Sequence, residues 1–239
     1  LVANTGLIEA DGGKIALTAA AGKDIVNSLI VSKGVLKAQS VGVKNGEIII
    51  AAAGSNKTNK QGNSNVIVQG ALDVSGRKAA VERGGKVTVT GDQVALLDGT
   101  FIDASGHTGK SGTTTGKKIS DARDGGAGGD VRIGGDYLGQ GDTPTAKNLY
   151  VDAGALVLND ALFEGDAGRT IFWSDDTTNF NGNVYARGGL NGGNGGFLET
   201  SGKINLSANG FADLTAREGF AKGTYLLDPT NITIFGNFD

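Results

Sequence analysis

A short glycine-led phrase recurs along this chain, and no single copy is long enough to bury an apolar face by itself. In its first form, glycine is followed by one to three residues, an aliphatic residue, one more residue, and then alanine or another small side chain. Copies are Gly6-Leu7-Ile8-Glu9-Ala10, Gly34-Val35-Leu36-Lys37-Ala38, Gly70-Ala71-Leu72-Asp73-Val74 and Gly99-Thr100-Phe101-Ile102-Asp103-Ala104. Later ones are Gly182-Asn183-Val184-Tyr185-Ala186 and Gly210-Phe211-Ala212-Asp213-Leu214. A second form interleaves with the first: Gly13-Lys14-Ile15-Ala16-Leu17, Gly46-Glu47-Ile48-Ile49-Ile50, Gly85-Lys86-Val87-Thr88-Val89, Gly129-Asp130-Val131-Arg132-Ile133 and Gly196-Phe197-Leu198-Glu199-Thr200. The second form has the period-two alternation of a strand with one buried face, and several copies are rich in β-branched residues. No stretch carries a sustained helical period.

Short strands with glycine turns can build a sandwich or a barrel as well as a solenoid. Three features select the solenoid. The phrases run the whole length, the chain does not divide into distinct halves, and Asn-Gly and Asp-Gly pairs do not sit regularly between strands as hairpins require. The reading is all-β: a right-handed parallel β-helix with loop excursions, with residues 1–239 forming one segment of a longer protein. A strand spacing of ~4.8 Å gives about nine coils a length of roughly 40–45 Å. Copies of the second phrase at Gly13, Gly46 and Gly85 are 33 and 39 residues apart. A solenoid coil takes about 20–30 residues, so the excess is assigned to excursions at 54–65, 106–128 and 140–148.

Composition narrows the class further. Glycine supplies 42 of the 239 residues but proline only 2, which excludes collagen. The glycines are expected to supply positive φ at tight turns. A hydrophobic fraction of 38% with a net charge of -3 argues against global disorder. The absence of cysteine removes disulfide and thiolate-metal frameworks. The absence of methionine reads as a piece excised from a longer polypeptide. No apolar run reaches membrane-spanning length, no signal peptide is visible, and mild acidity with scattered lysines argues against a nucleic-acid surface.

Candidate chemistry is sparse. His107, the single histidine, would have to serve any Ser-His-Asp triad, but its setting in Ala104-Ser105-Gly106-His107-Thr108-Gly109 reads as a solvated loop. Gly125-Gly126-Ala127-Gly128-Gly129-Asp130 resembles the start of a calcium-binding β-roll repeat, yet Arg132 takes the apolar position and no tandem copies follow, so it reads as a turn entering a strand. Asp73, Asp92, Asp103 and the pair Asp175-Asp176 would serve a polysaccharide-cleaving β-helix only if carboxylates converged on one face. No clustered pattern requires this, and the expectation is a protein with no catalytic, metal or cofactor site. Phe172-Trp173 reads as a core plug. Lys57, Lys60, Lys110, Lys117 and Lys118 lie in the polar excursions and are the candidate ligand contacts, suited to acidic glycans, with plain solvation as the alternative.

The second half carries a more specific signal. It runs through Gly129-Asp130-Val131-Arg132-Ile133-Gly134-Gly135-Asp136-Tyr137-Leu138-Gly139, then Phe172-Trp173-Ser174-Asp175, Phe180-Asn181-Gly182 and Ala186-Arg187-Gly188-Gly189. It continues through Gly195-Gly196-Phe197-Leu198-Glu199-Thr200-Ser201-Gly202 and closes with Gly223-Thr224-Tyr225-Leu226-Leu227-Asp228-Pro229. In order and spacing these phrases resemble the filamentous-haemagglutinin family of large exoproteins from Gram-negative bacteria, the two-partner secretion adhesins. The first half resembles the repeats that precede them. The resemblance implies a right-handed β-helix, export through an outer-membrane two-partner secretion transporter, and secretion or display at the cell surface. It implies a role as an adhesin, a haem-acquisition protein, a biofilm protein or a toxin carrier. The Asn-Pro-Asn motifs of the family's secretion module are not seen, so the segment is expected just beyond that module, with the transporter bound through a part not present here. The expected partner is a host-cell surface, glycan or matrix protein. The alternatives are capture of a host haem or iron carrier and, third, polysaccharide processing.

Overall fold

The computed structural model describes residues 1–20, 29–53, 64–76, 81–108 and 126–230. Over these the chain makes seven turns. The first holds β1 (Val2–Asn4), β2 (Leu7–Glu9) and β3 (Lys14–Ala20), and the second β4 (Leu29–Ser32), β5 (Val35–Lys37) and β6 (Glu47–Ala53). The third holds β7 (Asn65–Val68), β8 (Ala71–Asp73), β9 (Val81–Glu82) and β10 (Lys86–Thr90); the fourth β11 (Gln93–Leu96), β12 (Phe101–Asp103), β13 (His107–Thr108) and β14 (Asp130–Ile133). The fifth holds β15 (Asn148–Val151), β16 (Leu156–Leu158) and β17 (Arg169–Ser174), and the sixth β18 (Thr177–Phe180), β19 (Asn183–Tyr185) and β20 (Phe197–Gly202). The seventh holds β21 (Asn205–Ala208), β22 (Phe211–Asp213) and β23 (Thr224–Leu227).

Equivalent strands of successive turns pair in parallel, giving three seven-stranded sheets. The first runs β1-β4-β7-β11-β15-β18-β21, the second β2-β5-β8-β12-β16-β19-β22, and the third β3-β6-β10-β14-β17-β20-β23. This is a parallel β-helix. The first glycine phrase builds the second sheet and the second phrase builds the third. Outside the stack, β9 and β13 form a short antiparallel pair that sets His107 opposite Glu82.

Seven turns replace the nine that length suggests, because excursions consume the difference. Leu156 pairs with Asn183 and Asn183 with Phe211, so a minimal turn takes 27 or 28 residues. Phe101 pairs with Leu156, 55 residues on. At about 4.8 Å per step the stack of seven is about 30 Å long. The excursion expected at 140–148 starts earlier, at Gly134, and Asn148 already opens β15. Asn65 likewise belongs to β7, and His107–Thr108 to β13; residues 54–63 and 109–125 lie outside the described residues.

The core is a set of ladders. Ile30, Val66, Val94 and Leu149 stack beneath the first sheet, Leu36, Leu72, Ile102 and Val157 beneath the second, and Ile48, Val87 and Val131 beneath the third, all buried. Each buried aliphatic side chain contributes about 1.5–3 kcal/mol, and stacking gives it a like neighbour above and below. Phe172 and Phe180 stack at 5.1 Å in the later turns, where Thr170, Ser174, Thr178 and Ser201 are also buried. The Ser174 and Thr178 hydroxyls lie 2.7 Å apart, and Thr178 donates to the Ser201 carbonyl at 2.8 Å.

Left-handed φ occurs at Gly12, Gly42 and Gly99 among others, and of the glycines that open the strand phrases only Gly99 has it. In the third sheet the phrase glycines from the second turn onward are required by close approach. A Cβ on Gly85 would stand 2.2 Å from the Gly46 carbonyl oxygen, one on Gly129 2.1 Å from that of Gly85, and one on Gly223 2.2 Å from that of Gly196. These carbonyls accept the ladder bonds from Lys86, Asp130 and Thr224 N–H at 2.9–3.0 Å. Asn159, at the corner before the third sheet, braces this column: it accepts from Gly129 N–H at 2.7 Å and donates to the Arg169 carbonyl at 3.0 Å.

Candidate functional site

The three outward faces differ in charge. On the third sheet one column alternates in sign through Lys14, Glu47, Lys86, Asp130 and Arg169, in register from strand to strand. Lys14 meets Glu47 at 3.0 Å and Arg169 meets Asp130 at 3.3 Å. Exposed pairs of this kind contribute about 0–1 kcal/mol each, so their effect is on register more than stability. The second sheet presents Glu9, Lys37, Asp73, Asp103 and Asp213. No strand of the first sheet contains a charged residue. A groove of about 570 Å³ runs across that face beside Gln93, Asn148 and Tyr150.

Residues 134–147 fold back over the third sheet. Arg132 anchors the start, donating to Asp130 at 2.6 Å and pairing with Asp136; these hydrogen bonds raise its already high pKa. Asp136 caps a 3-10 turn at Tyr137–Gly139 by accepting from Tyr137 N–H at 2.8 Å. Tyr137 packs edge-on to Phe197 at 5.7 Å. The Trp173 ring lies against Gly135 and Gly139, where a Cβ would fall 2.7 and 2.3 Å from ring carbons. Leu138 is held at φ 54, a left-handed conformation costly for a residue with a Cβ. Its N–H donates to both carboxylate oxygens of Glu199, at 3.1 and 3.2 Å. Glu199 occupies an outward position of β20 yet is fully buried beneath the segment. Burial pushes its carboxyl above the ordinary range, partly offset by hydrogen bonds from the Ser201 hydroxyl and Leu138 N–H. Sequence alternation marks Glu199 as outward but does not reveal the cover.

The acidic candidates fall in two places, Asp73 and Asp103 on the second sheet and Asp92, Asp175 and Asp176 at the corner before the first, and each is held by hydrogen-bond partners. Asp73 and Asp103 stand on paired strands of the second sheet. Asp73 accepts from the Ser75 N–H and hydroxyl at 3.0 and 2.7 Å, and Asp103 from Ser105 N–H at 2.9 Å. Burial raises the Asp103 pKa. Asp92 accepts from the N–H and hydroxyl of Ser64, both at 2.8 Å. Asp175 accepts from Thr145 at 2.7 Å, and Asp176 from Thr177 at 3.3 Å. Asp73 and Asp103 cap local turns, whereas Asp92 and Asp175 tie one coil to the preceding one. Among the described residues, no three His, Asp or Glu side chains gather where they could hold a metal ion.

His107 is not the solvated loop residue that its glycine-flanked sequence suggests. It is buried, with its ring edge-on to Phe163 at 5.2 Å, because β13 is drawn in by pairing with β9. Phe172 lies in the core as expected, whereas Trp173, on the outward side of the same strand, is no core plug and is buried beneath the excursion. Arg132 points outward to its carboxylate partners, and Asp130 opens a strand. Lys57, Lys60, Lys110, Lys117 and Lys118 lie outside the described residues.

No family model matches the chain. Over 119 residues, 48% of its length, it is 29% identical to the heme/hemopexin-binding protein of Haemophilus influenzae, and the match takes in 13% of that protein. The crystal structure of the HMW1 secretion domain from Haemophilus influenzae matches 95% of the chain with a TM-score of 0.66 and 29% identity. The chain spans about half of that domain, 49% of its length. This corrects the placement of the segment just beyond the secretion module, because the match runs through a secretion domain over nearly the whole chain. The Asn-Pro-Asn motifs are local signals that a chain spanning half of such a domain need not contain.

Proposed function

Starting from this chain's homology to the HMW1 secretion domain, and so to the two-partner secretion exoproteins, we propose that it is part of a rigid β-helical stem exported through an outer-membrane transporter and displayed outside the cell. The stem presents loops and sheet faces to a host-cell surface, glycan or matrix protein. The observation that carries the reading is the unbroken parallel register of three sheets through seven turns, a geometry that holds surface groups at fixed spacing. The reading assigns no catalysis, since the candidate carboxylates are engaged in turn caps and in ties between coils. It assigns this chain a share in transporter recognition, in keeping with its resemblance to a secretion domain. Deleting residues 134–147 from the parent protein, co-expressed with its transporter, tests that share. Loss of export with the rest of the fold retained supports it, and unchanged export counts against it. Replacing Lys57, Lys60, Lys110, Lys117 and Lys118 by alanine tests the loops; unchanged binding to cells and acidic glycans removes them as contacts.

A second reading, capture of a host haem or iron carrier, is favoured by the name of the heme/hemopexin-binding relative. Direct haem ligation by His107 is disfavoured by its burial against Phe163. A serum pull-down with the purified chain separates the two readings: a retained haem carrier supports the second, and none with intact cell binding supports the first.

A further inference from the structure

We propose that the outward face of the first sheet is a binding site for a neutral polysaccharide strand, a refinement that rests on the adhesive reading above. Three observations carry it. First, the face is uncharged in a chain whose residues are 20% charged. Charges return only at its borders, as at Asp92, Lys147 and Asp152. A surface without charge does not select acidic sugars over neutral ones, unlike the two other faces.

Second, the face is lined in register by groups that match sugar hydroxyls. Asn65, Gln93, Asn148, Thr177 and Asn205 form one column, each at the start of its strand. Carboxamides both donate and accept, as a sugar hydroxyl does. Asn148 donates to Gln93 at 3.1 Å and Asn205 to Thr177 at 3.3 Å, which orients these groups in advance of a ligand. The repeat of ~4.8 Å between neighbouring groups is close to the advance of one residue in an extended β-linked glycan.

Third, the adjoining column is apolar as far as the fifth turn and polar beyond it. Val31, Ile67, Ala95 and Tyr150 stand side by side, followed by Asn179 and Ser207, and Tyr150 is 40% exposed. Its hydroxyl donates to Asp152 at 3.0 Å, fixing the ring at the edge of the groove. An aromatic ring held beside amides offers a sugar both a C–H packing surface and hydrogen bonds. The third sheet, by contrast, is covered over its later strands by residues 134–147 and carries charged pairs elsewhere, and the second carries carboxylates.

The test is affinity electrophoresis of the 239-residue chain in gels containing hydroxyethylcellulose, galactomannan or dextran, with parallel gels containing heparin. Retardation by at least one neutral polymer is expected. Tyr150→Ala and Asn65→Lys, both outward substitutions checked by melting temperature, are each expected to weaken that association about fivefold or more. Alanine at Lys57, Lys60, Lys110, Lys117 and Lys118 is expected to leave it unchanged. No retardation by any of the three neutral polymers overturns the proposal, and so does retardation insensitive to both face variants. Retardation only by heparin, lost with the lysines, overturns the proposal while leaving the adhesive reading standing. No retardation by any polymer, heparin included, together with no binding to cells removes both.

Discussion

Two glycines show how different the demands on one residue type can be. At Gly129 a methyl group would sit 2.1 Å from the Gly85 carbonyl oxygen, the same oxygen that accepts the ladder bond from Asp130 N–H. Backbone on both sides prevents relief. Gly129→Ala is expected to cost more than about 3 kcal/mol, at or beyond the upper end of ordinary overpacking. Gly42 has no heavy atom within 4 Å of an added Cβ, but its φ is +61. Gly42→Ala is expected to cost only about 1 kcal/mol, the penalty for a left-handed alanine. Urea unfolding of both variants checks the pair: the midpoint should fall far more for Gly129→Ala, at equal slope.

At the scale of elements, the excursion over the third sheet is held by a carboxylate taken out of water. Burial is the largest cause of the raised Glu199 pKa; Asp228 raises it further and Arg169 lowers it. Asp103 is raised for the same leading reason, with hydrogen bonds from Ser105 opposing. A carboxyl whose folded pKa exceeds its unfolded value binds its proton more tightly in the native state. The stability it contributes is full below the unfolded carboxylate range, near pH 4, and is lost as pH rises through the raised folded value. The melting temperature of the natural chain, relative to a Glu199→Gln, Asp103→Asn variant, should therefore decline from about pH 4 toward neutrality. A difference that stays constant across that range would refute the assignment. The segment itself is tied by few groups, so Glu199→Ala should open the 134–147 region to limited proteolysis while the three sheets persist.

For the whole molecule, stability comes from contact between one turn and the next, so tolerance to insertion depends on where the chain leaves the stack. A six-residue Gly/Ser insertion after Asp142 lengthens a segment that already lies outside the ladders and should lower the melting temperature little. The same insertion after Asn181 separates β18 from β19 at a two-residue corner. There Gly182 packs against Val151 and Asn183 N–H reaches the Ala155 carbonyl at 2.9 Å. That variant should unfold many degrees earlier or fail to fold, as thermal circular dichroism would register.

How much of this was legible in advance varies by element. The glycine phrases at Gly6, Gly34, Gly70 and at Gly13, Gly46, Gly85 located the second and third sheets, because close backbone approach, as at Gly34, Gly46, Gly70 and Gly85, leaves a compositional mark. The first sheet has no such column, and its strands, such as Asn65–Val68 and Asn148–Val151, went unmarked. Its uncharged face emerges only when strands up to 55 residues apart are laid side by side. Local alternation determined which side chains point inward, since that depends only on the strand's period of two. Tertiary structure decided which outward positions are covered. Glu199, Trp173 and His107 are buried by segments distant in sequence, and burial by a distant segment leaves no trace in the local pattern of the residues it covers.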